Sequence, residues 1–381
     1  MKIEPSKNDA ASDVEKDAPK EVPKPRQNVG FATIAAVLLF VGNEVQSVVV
    51  RNTGVPANQT IPPELALLTQ LKTLQLSNNQ IAQSFETLLT STLVPMEHLA
   101  ELSLDQNHLE GSIPTELGLM SNSLISLRLW DQNSKLVGSI PSEIGRLSQL
   151  EVLDLGVNDF TGQIPSTIGF LTSLTSLLFR KNSQLAGTLP PQIGLLTKLT
   201  KLDFGYCTNM QGSIPTEYGA LSKLADRSIW LNRNSLTGTI PTEIGRWTDM
   251  GLLLVNGNNL KGAIPTQIGL MEGLEEISMY ENQLEGPIPS ELGLLTDTKK
   301  RLTRVYLYDN ALTGQVPTEL VSLWENGSLE GLRLQNNDLS GTIPEGLCGM
   351  GKVENQDDWW EHGLWFDCND KLCGCSWCPC A

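Results

Sequence analysis

The chain has 381 residues, with 27 basic and 43 acidic side chains and a formal net charge of −16 at pH 7. Because contact with phosphate backbones needs a basic surface, this balance argues against nucleic acid as the main partner. Hydrophobic residues make up 40% of the chain, which excludes a multi-span membrane protein and a wholly disordered one. The length admits two or three domains or one long repeat array.

The first segment, residues 1–28, has the composition of a disordered tail. It carries six acidic side chains, six basic side chains and four prolines, with almost nothing apolar. Such a segment cannot bury enough surface to offset the entropy lost on ordering. We therefore predict that it lies outside any folded domain.

The second segment, residues 29–42, contains an uncharged apolar run of 13 residues at 29–41. A helix of that length spans about 20 Å, short of a bilayer core of about 30 Å. The run fits a signal-peptide core, cleaved or uncleaved, or an N-terminal anchor; Lys20, Lys24 and Arg26 before it favour a cytosolic N-terminus. We predict an extracellular or membrane-anchored protein. The alternative is a cytoplasmic protein in which the run caps the next domain.

The third segment, residues 43–347, repeats the frame L-x-x-L-x-L-x-x-N-x-L-x-G-x-I-P. Clear copies are residues 150–165 and 329–344, and the element G-x-[ILV]-P occurs ten times. Twelve units follow one another at intervals of 24 to 28 residues. They begin at Val45, Leu71, Leu99, Leu124, Leu150, Leu174, Leu199, Asp226, Met250, Leu274, Leu302 and Leu329.

Each part of the frame predicts one local structure. The L-x-L stretch predicts a short strand whose leucines face one way, and parallel stacking of neighbouring strands buries them. The asparagine after each strand is predicted to satisfy backbone groups at the turn. The sequence P-[ST]-E-[LI]-G predicts a short outer helical turn, since proline and glutamate both suit its start. The predicted amide ladder comprises Asn79, Asn107, Asn133, Asn158, Asn182, Asn234, Asn258, Asn282, Asn310 and Asn337, with Cys207 as a buried thiol in the seventh unit.

This frame resembles the plant-type leucine-rich repeat, and the resemblance covers residues 45–347. It implies an α/β solenoid, a horseshoe or superhelix with a parallel concave β-sheet and short helical turns on the convex side. Proteins of this family are ectodomains of receptor-like kinases and receptor-like proteins, or secreted inhibitors, in plants and algae. They bind peptides, proteins or small glycans on the concave sheet. No kinase domain follows the array, and the paired-cysteine N-terminal cap of the family is not found before Val45.

The last segment, residues 348–381, is rich in cysteine and tryptophan. We predict a cap, closed by disulfides, over the open edge of the last repeat. A thiolate zinc site is the alternative, because C-x-C-x-x-C-x-C has suitable spacing, and a redox pair at Cys375 and Cys378 ranks third. The favoured prediction has no metal and no cofactor. The disulfide candidates are Cys348, Cys368, Cys373, Cys375, Cys378 and Cys380.

No motif in the sequence predicts catalysis. The three histidines show no zinc-protease or nucleophile-base pattern. The tripeptide at 203–205 imitates a kinase metal motif, and residues 346–352 imitate a phosphate loop, but neither has the necessary context. We predict that the chain is not an enzyme. Two triplets, at Asn58 and Asn326, fit N-glycosylation.

The positions beside the strand leucines predict a binding surface on the concave side. Exposed aromatic and arginine side chains there have the composition of interface hot spots. The alternative is a hydrated sheet whose aromatic rings pack only on one another. The candidate ligand-binding residues are Trp130, Arg180, Lys181, Tyr206, Trp230, Arg233, Tyr280, Tyr306 and Tyr308.

The resulting functional prediction is non-catalytic recognition of a protein, peptide or glycan ligand by a receptor-like or secreted protein, with a co-receptor as a further expected partner. Inhibition of a secreted hydrolase is one alternative. An intracellular or structural scaffold for protein interactions is another.

Overall fold

The computed structural model describes residues 45–51, 59–133, 135–224, 229–297, 301–350, 363–365 and 372–373. The chain divides into two compact units, Met1–Thr161 and Gly162–Ala381. The predicted tail at 1–28, the apolar segment at 29–42 and most of residues 348–381 lie outside the described residues.

The first unit contains a parallel sheet with one strand from each repeat. Leucine pairs with leucine between neighbouring strands, as in the row Leu74, Leu102, Leu127 and Leu153. All four are fully buried, because alternate side chains of a strand point to the same side. Its strands are β1 (Ser47–Val49), β2 (Thr73–Gln75), β3 (Glu101–Ser103), β4 (Ser126–Arg128) and β5 (Val152–Asp154).

The second unit contains a parallel sheet built in the same way. Its central row runs from Leu177 through Leu202 and Ile229 to Leu332 and beyond, again in register. Its strands are β6 (Ser176–Leu178), β7 (Lys201–Asp203), β8 (Ile229–Trp230), β9 (Leu252–Leu254), β10 (Glu276–Ser278), β11 (Arg304–Tyr306), β12 (Gly331–Arg333) and β13 (Gly363–Trp365).

Most of a second set of shorter strands lie at or just before the glycine of a G-x-[ILV]-P element. These glycines adopt positive φ, for example +72° at Gly162 and +78° at Gly286, which only glycine adopts without cost. The strands are Val137–Ser139, Asp159–Thr161, Gly187–Thr188, Met210–Gly212, Ser235–Leu236, Lys261–Gly262, Gln283–Gly286, Ala311–Gly314, Asp338–Leu339, Gly341–Thr342 and Leu372–Cys373.

The predicted outer helical turns are mostly 3-10 turns, and the residue before most of them is the proline of I-P. They are Pro63–Leu67, Thr115–Met120, Ser142–Arg146, Ser166–Phe170, Pro191–Leu195, Thr216–Ala220, Thr242–Arg246, Thr266–Leu270, Ser290–Asp297 and Glu345–Met350. Two repeats carry α-helices instead. They are α1 (Phe85–Leu88), which continues as a π-turn at Leu89–Leu93, and α2 (Leu320–Glu325).

The predicted amide ladder is present, with one correction. In most repeats the asparagine Nδ2 donates to two or more backbone carbonyls and Oδ1 accepts a backbone N–H; Asn258 bonds Leu231 O, Val255 O and Leu236 N. The prediction for Asn133 was wrong. Gln132 occupies the frame's asparagine position, eight residues after Leu124 as Asn158 is eight after Leu150, and it bonds Leu104 O and Leu109 N.

Cys207 occupies the position of the ladder asparagine in the seventh repeat, as predicted. It is fully buried, and its thiol donates to Phe179 O over 3.3 Å. Burial raises the pKa of this thiol to about 12, and the backbone N–H of Asn182 bonds the sulfur. The thiol is therefore protonated and structural at neutral pH.

The part of the C-terminal tail that is described continues the repeat pattern. Strand β13 pairs in parallel with β12, and Leu372–Cys373 pairs with Gly341–Thr342. Cys348 is disulfide-bonded. The side chains of the other five candidate cysteines are outside the described part, so the predicted disulfide cap stays a prediction. The solenoid of parallel strands and short turns confirms the predicted fold class.

Candidate ligand-binding surface

The candidate surface is the open face of the parallel sheet, here called the sheet face. It is formed by side chains that flank the buried leucines of each strand and by the two residues before each ladder slot. The residue just before the slot has positive φ in repeat after repeat, for example +57° at Lys181, +62° at Tyr206 and +55° at Arg233. This left-handed turn lets the chain bend inward to the buried ladder side chain.

Three of the predicted residues form a stack in the second unit, here called the arginine–tyrosine stack. The guanidinium carbon of Arg180 lies 5.6 Å from the ring centroid of Tyr206, and that of Arg233 lies 5.7 Å from it. Two cations on one ring hold that ring in place and keep positive charge at the surface. Arg233 also forms a 4.0 Å ion pair with Glu281.

A buried carboxylate lies beside this stack. Asp203 is buried on β7, and its Oδ1 accepts the N–H of Gly205 over 2.9 Å. Burial raises the pKa of Asp203 to about 6, although the Gly205 hydrogen bond and the charge of Arg180 both act to lower it. Trp230, at the end of β8, is half-buried in the strand that pairs with β7.

The three other tyrosines among the predicted binding residues form a second group, here called the tyrosine cluster. The rings of Tyr280 and Tyr308 are stacked, with centroids 4.4 Å apart and planes 7° apart. Tyr306 carries the guanidinium of Arg333 at 5.3 Å from its centroid. Burial raises the pKa of each of these phenols, so they stay protonated and able to donate hydrogen bonds.

Sequence reasoning missed three residues that complete this cluster. Arg304 pairs with Glu276 at 3.4 Å and with Glu330 at 3.9 Å, and Arg333 is only 5% exposed. Their signal was available, since each of the two arginines flanks a buried aliphatic residue of a strand, Val305 for Arg304 and Leu332 for Arg333. It was missed because the partners lie in different repeats, 26 to 28 positions apart in the chain.

Two predicted residues lie apart from these groups. Trp130 follows β4 in the first unit and is half-buried, and its backbone N–H donates to Asp105 Oδ1. Lys181 is exposed at the turn after β6. Asn58 is outside the described residues, whereas Asn326 is exposed at the end of α2.

Within the described residues, no group of histidine, cysteine and acidic side chains is arranged to hold a metal ion. The same part of the chain contains no helix that is both long and apolar enough to cross a membrane.

Comparison with known proteins agrees with this geometry. The sequence model of the Leucine Rich Repeat family matches residues 149–171 and 328–350. The chain contains leucine-rich repeats and folds as a leucine-rich repeat solenoid. It is 29% identical to Receptor-like protein 41 of Arabidopsis thaliana over 122 residues, which are 32% of this chain and 13% of that protein.

Solved plant receptors share the fold. The crystal structure of a TDR receptor matches with a TM-score of 0.73 and 29% identity, over 85% of this chain and 57% of that one. The plant peptide hormone receptor RGFR1 in complex with RGF2 matches with a TM-score of 0.66 and 29% identity, over 81% and 54%. The chain thus spans little more than half the length of these receptors.

Proposed function

We propose that this protein is a receptor-like, non-catalytic recognition module whose sheet face in the second unit binds a peptide or protein ligand. The observation that carries the proposal is the arginine–tyrosine stack. Tyr206 and its two arginines are held in place before any ligand arrives, so little side-chain entropy is lost on binding. The likeness to plant receptors, one of them in complex with its hormone RGF2, supports the same assignment.

The proposal can be tested with a peptide selected against the full chain from a random displayed library. Replacing Tyr206 and Trp230 together by alanine should weaken binding of that peptide by about 30-fold or more, as expected for loss of two aromatic anchors. The matched control replaces Phe170 and Leu195 by alanine. These are 64% and 59% exposed on the outer turns of the same unit and should not matter.

Two outcomes would overturn this assignment. One is a Tyr206/Trp230 double variant that binds the peptide as tightly as the parent while melting at the same temperature. The other is an equal loss in the Phe170/Leu195 control, which would place the contact on the outer turns.

We further propose that the protein is extracellular or membrane-associated. Asn326 is exposed at the end of α2, and Ser328 of the same triplet is buried with its hydroxyl donating to Leu323 O over 2.8 Å. Expressed in a eukaryotic secretory host, the protein should show a glycosidase-sensitive mobility shift that Asn326→Gln reduces. A cytosolic, unglycosylated product in cell fractionation contradicts this location and favours the scaffold alternative.

A further inference from the structure

A hollow of about 450 Å³ opens on the sheet face of the second unit, beside the tyrosine cluster. Pockets of small ligands have volumes of about 300–1,000 Å³. Tyr280, Tyr306 and Tyr308 form one part of its lining, and Glu275, Glu276 and Arg304 form another. The hollow therefore has an aromatic side and a polar side.

The aromatic side is rigid and neutral. Tyr280 and Tyr308 are stacked at 4.4 Å, and Arg333 fixes the ring of Tyr306 from 5.3 Å. Because burial raises the pKa of these phenols, their hydroxyl groups stay protonated across the physiological range. The hollow thus offers flat rings together with hydroxyl groups that both donate and accept.

The charges of the polar side cancel. The lining contains two acids, Glu275 and Glu276, and two bases, Arg304 and Arg333. Arg304 lies between Glu276 and Glu330, and Arg333 is nearly fully buried against Tyr306. With no net charge, the lining attracts neither an anion nor a cation over a distance.

A ligand for this hollow needs an apolar face for the rings and many uncharged hydrogen-bonding groups for the opposite side. A neutral sugar ring has both, since its C–H face covers an aromatic ring and its hydroxyls donate to glutamate and accept from arginine. We propose that the hollow binds one residue of a neutral saccharide.

An apolar or aromatic peptide side chain fits the hollow less well. Glu276 already accepts from Ser278 and pairs with Arg304, but an apolar side chain would displace water from the rest of their hydrogen-bonding sites without replacing it, which weakens binding. This inference rests on the proposed function only in placing ligand contact on the same sheet face. The arginine–tyrosine stack and the hollow use different tyrosines, so each can fail alone.

The test measures binding of the full chain to cellotetraose, xylotetraose, mannotetraose and N-acetylchitotetraose, by calorimetry and by saturation-transfer NMR. At least one should bind with a Kd of about 1 mM or tighter. Between about 50 and 500 mM salt that Kd should stay constant, because screening acts only on charged partners. Tyr306→Ala should weaken binding about tenfold or more, with Tyr306→Phe losing less because the ring remains. Phe170→Ala, on an outer turn away from the hollow, is the control and should bind normally.

Three results would overturn the inference. The first is no binding of any of the four neutral tetrasaccharides at about 10 mM. The second is preferential binding of tetragalacturonate or deacetylated chitotetraose with strong salt dependence, which would mark a charged-ligand site. The third is loss of the library-selected peptide in Tyr306→Phe with no saccharide bound, which would make the hollow a peptide contact. Failure of the proposed function itself shows separately, in the Tyr206/Trp230 variant.

Discussion

Cys207 shows how one residue substitutes in a repeated role. The usual asparagine donates to carbonyls of its own and the previous repeat and accepts an N–H. In the sixth repeat, the backbone N–H of Leu185 bonds the carbonyl oxygen of Asn182 in the same turn. That N–H therefore needs no acceptor from the next repeat. The thiol then needs only to donate to Phe179 O and accept from the Asn182 N–H.

Replacing Cys207 tests this explanation. Cys207→Ala should lower the free energy of unfolding by about 1–3 kcal/mol, because two buried backbone groups lose their partner. Cys207→Asn should be close to neutral, since its amide offers both a donor and an acceptor. Equal losses in the two variants, measured by denaturant unfolding, would show that volume and not hydrogen bonding controls the site.

Val157 is the β-branched member of the row of left-handed residues that precede the ladder slots, with φ at +54°. Left-handed backbone costs an L-residue about 1–2 kcal/mol, and asparagine lowers that cost. Val157→Asn should therefore stabilise the protein by about 1 kcal/mol in thermal or denaturant unfolding. Gln106→Val, at the equivalent exposed turn with φ also at +54°, is the reciprocal control and should destabilise it. If both changes are neutral, the turn is not strained at this position.

At the scale of elements, the outer turns pack so closely that glycine is required at their contacts. A Cβ on Gly194 would lie 2.5 Å from the backbone oxygen of Glu217 in the next turn. At Gly118 the equivalent contacts are 3.1 Å. The glycine that follows leucine or isoleucine in most outer turns therefore sets the spacing between successive turns.

This spacing predicts a graded response. Gly194→Ala should destabilise the protein by about 1–3 kcal/mol, because the clash is with backbone that can move only if the next repeat moves. Gly118→Ala should cost less, since its neighbours need to give by only a few tenths of an ångström. Denaturant unfolding of both variants checks the order, and a larger loss at Gly118 would contradict the packing argument.

At the scale of the whole molecule, the net charge of −16 is mostly a property of the scaffold. Many of the acids begin the outer turns, where carboxylates suit the helix N-terminus. They are Glu64, Glu116, Glu143, Glu217, Glu243, Glu291 and Glu319. The sheet face of the second unit instead mixes arginine with glutamate, so overall charge says little about its ligand.

The buried Asp203 should make global stability depend on pH. Its pKa is raised from 3.8 to about 6, so the folded state prefers the protonated form. The penalty for ionisation is absent below about pH 4 and complete above about pH 6, so stability from this group falls as pH rises through that window. Its size is about 3 kcal/mol at most, from about 1.4 kcal/mol for each pKa unit.

Asp203→Asn keeps an oxygen for the Gly205 N–H and removes the charge. The variant should gain stability at pH 7 relative to the parent and lose most of that gain at pH 4. Asp131→Asn, a half-exposed carboxylate in the first unit, is the control. An unchanged pH slope in Asp203→Asn, measured by denaturant unfolding between pH 4 and pH 7, would contradict the raised pKa of the buried Asp203.

The sequence by itself determined the architecture, because leucines at a constant spacing can be buried only by stacking strand upon strand. It also predicted the ladder and the thiol at position 207, and the prediction was wrong at Asn133 because a glutamine, Gln132, holds the in-register position and its amide makes the same bonds. Only the tertiary structure decided which sheet-face residues meet. Arg333 reaches Tyr306, and Arg304 reaches Glu276, because strand register brings residues 27 or 28 positions apart into contact. That register follows from the lengths of all the connecting turns together, which no single motif contains.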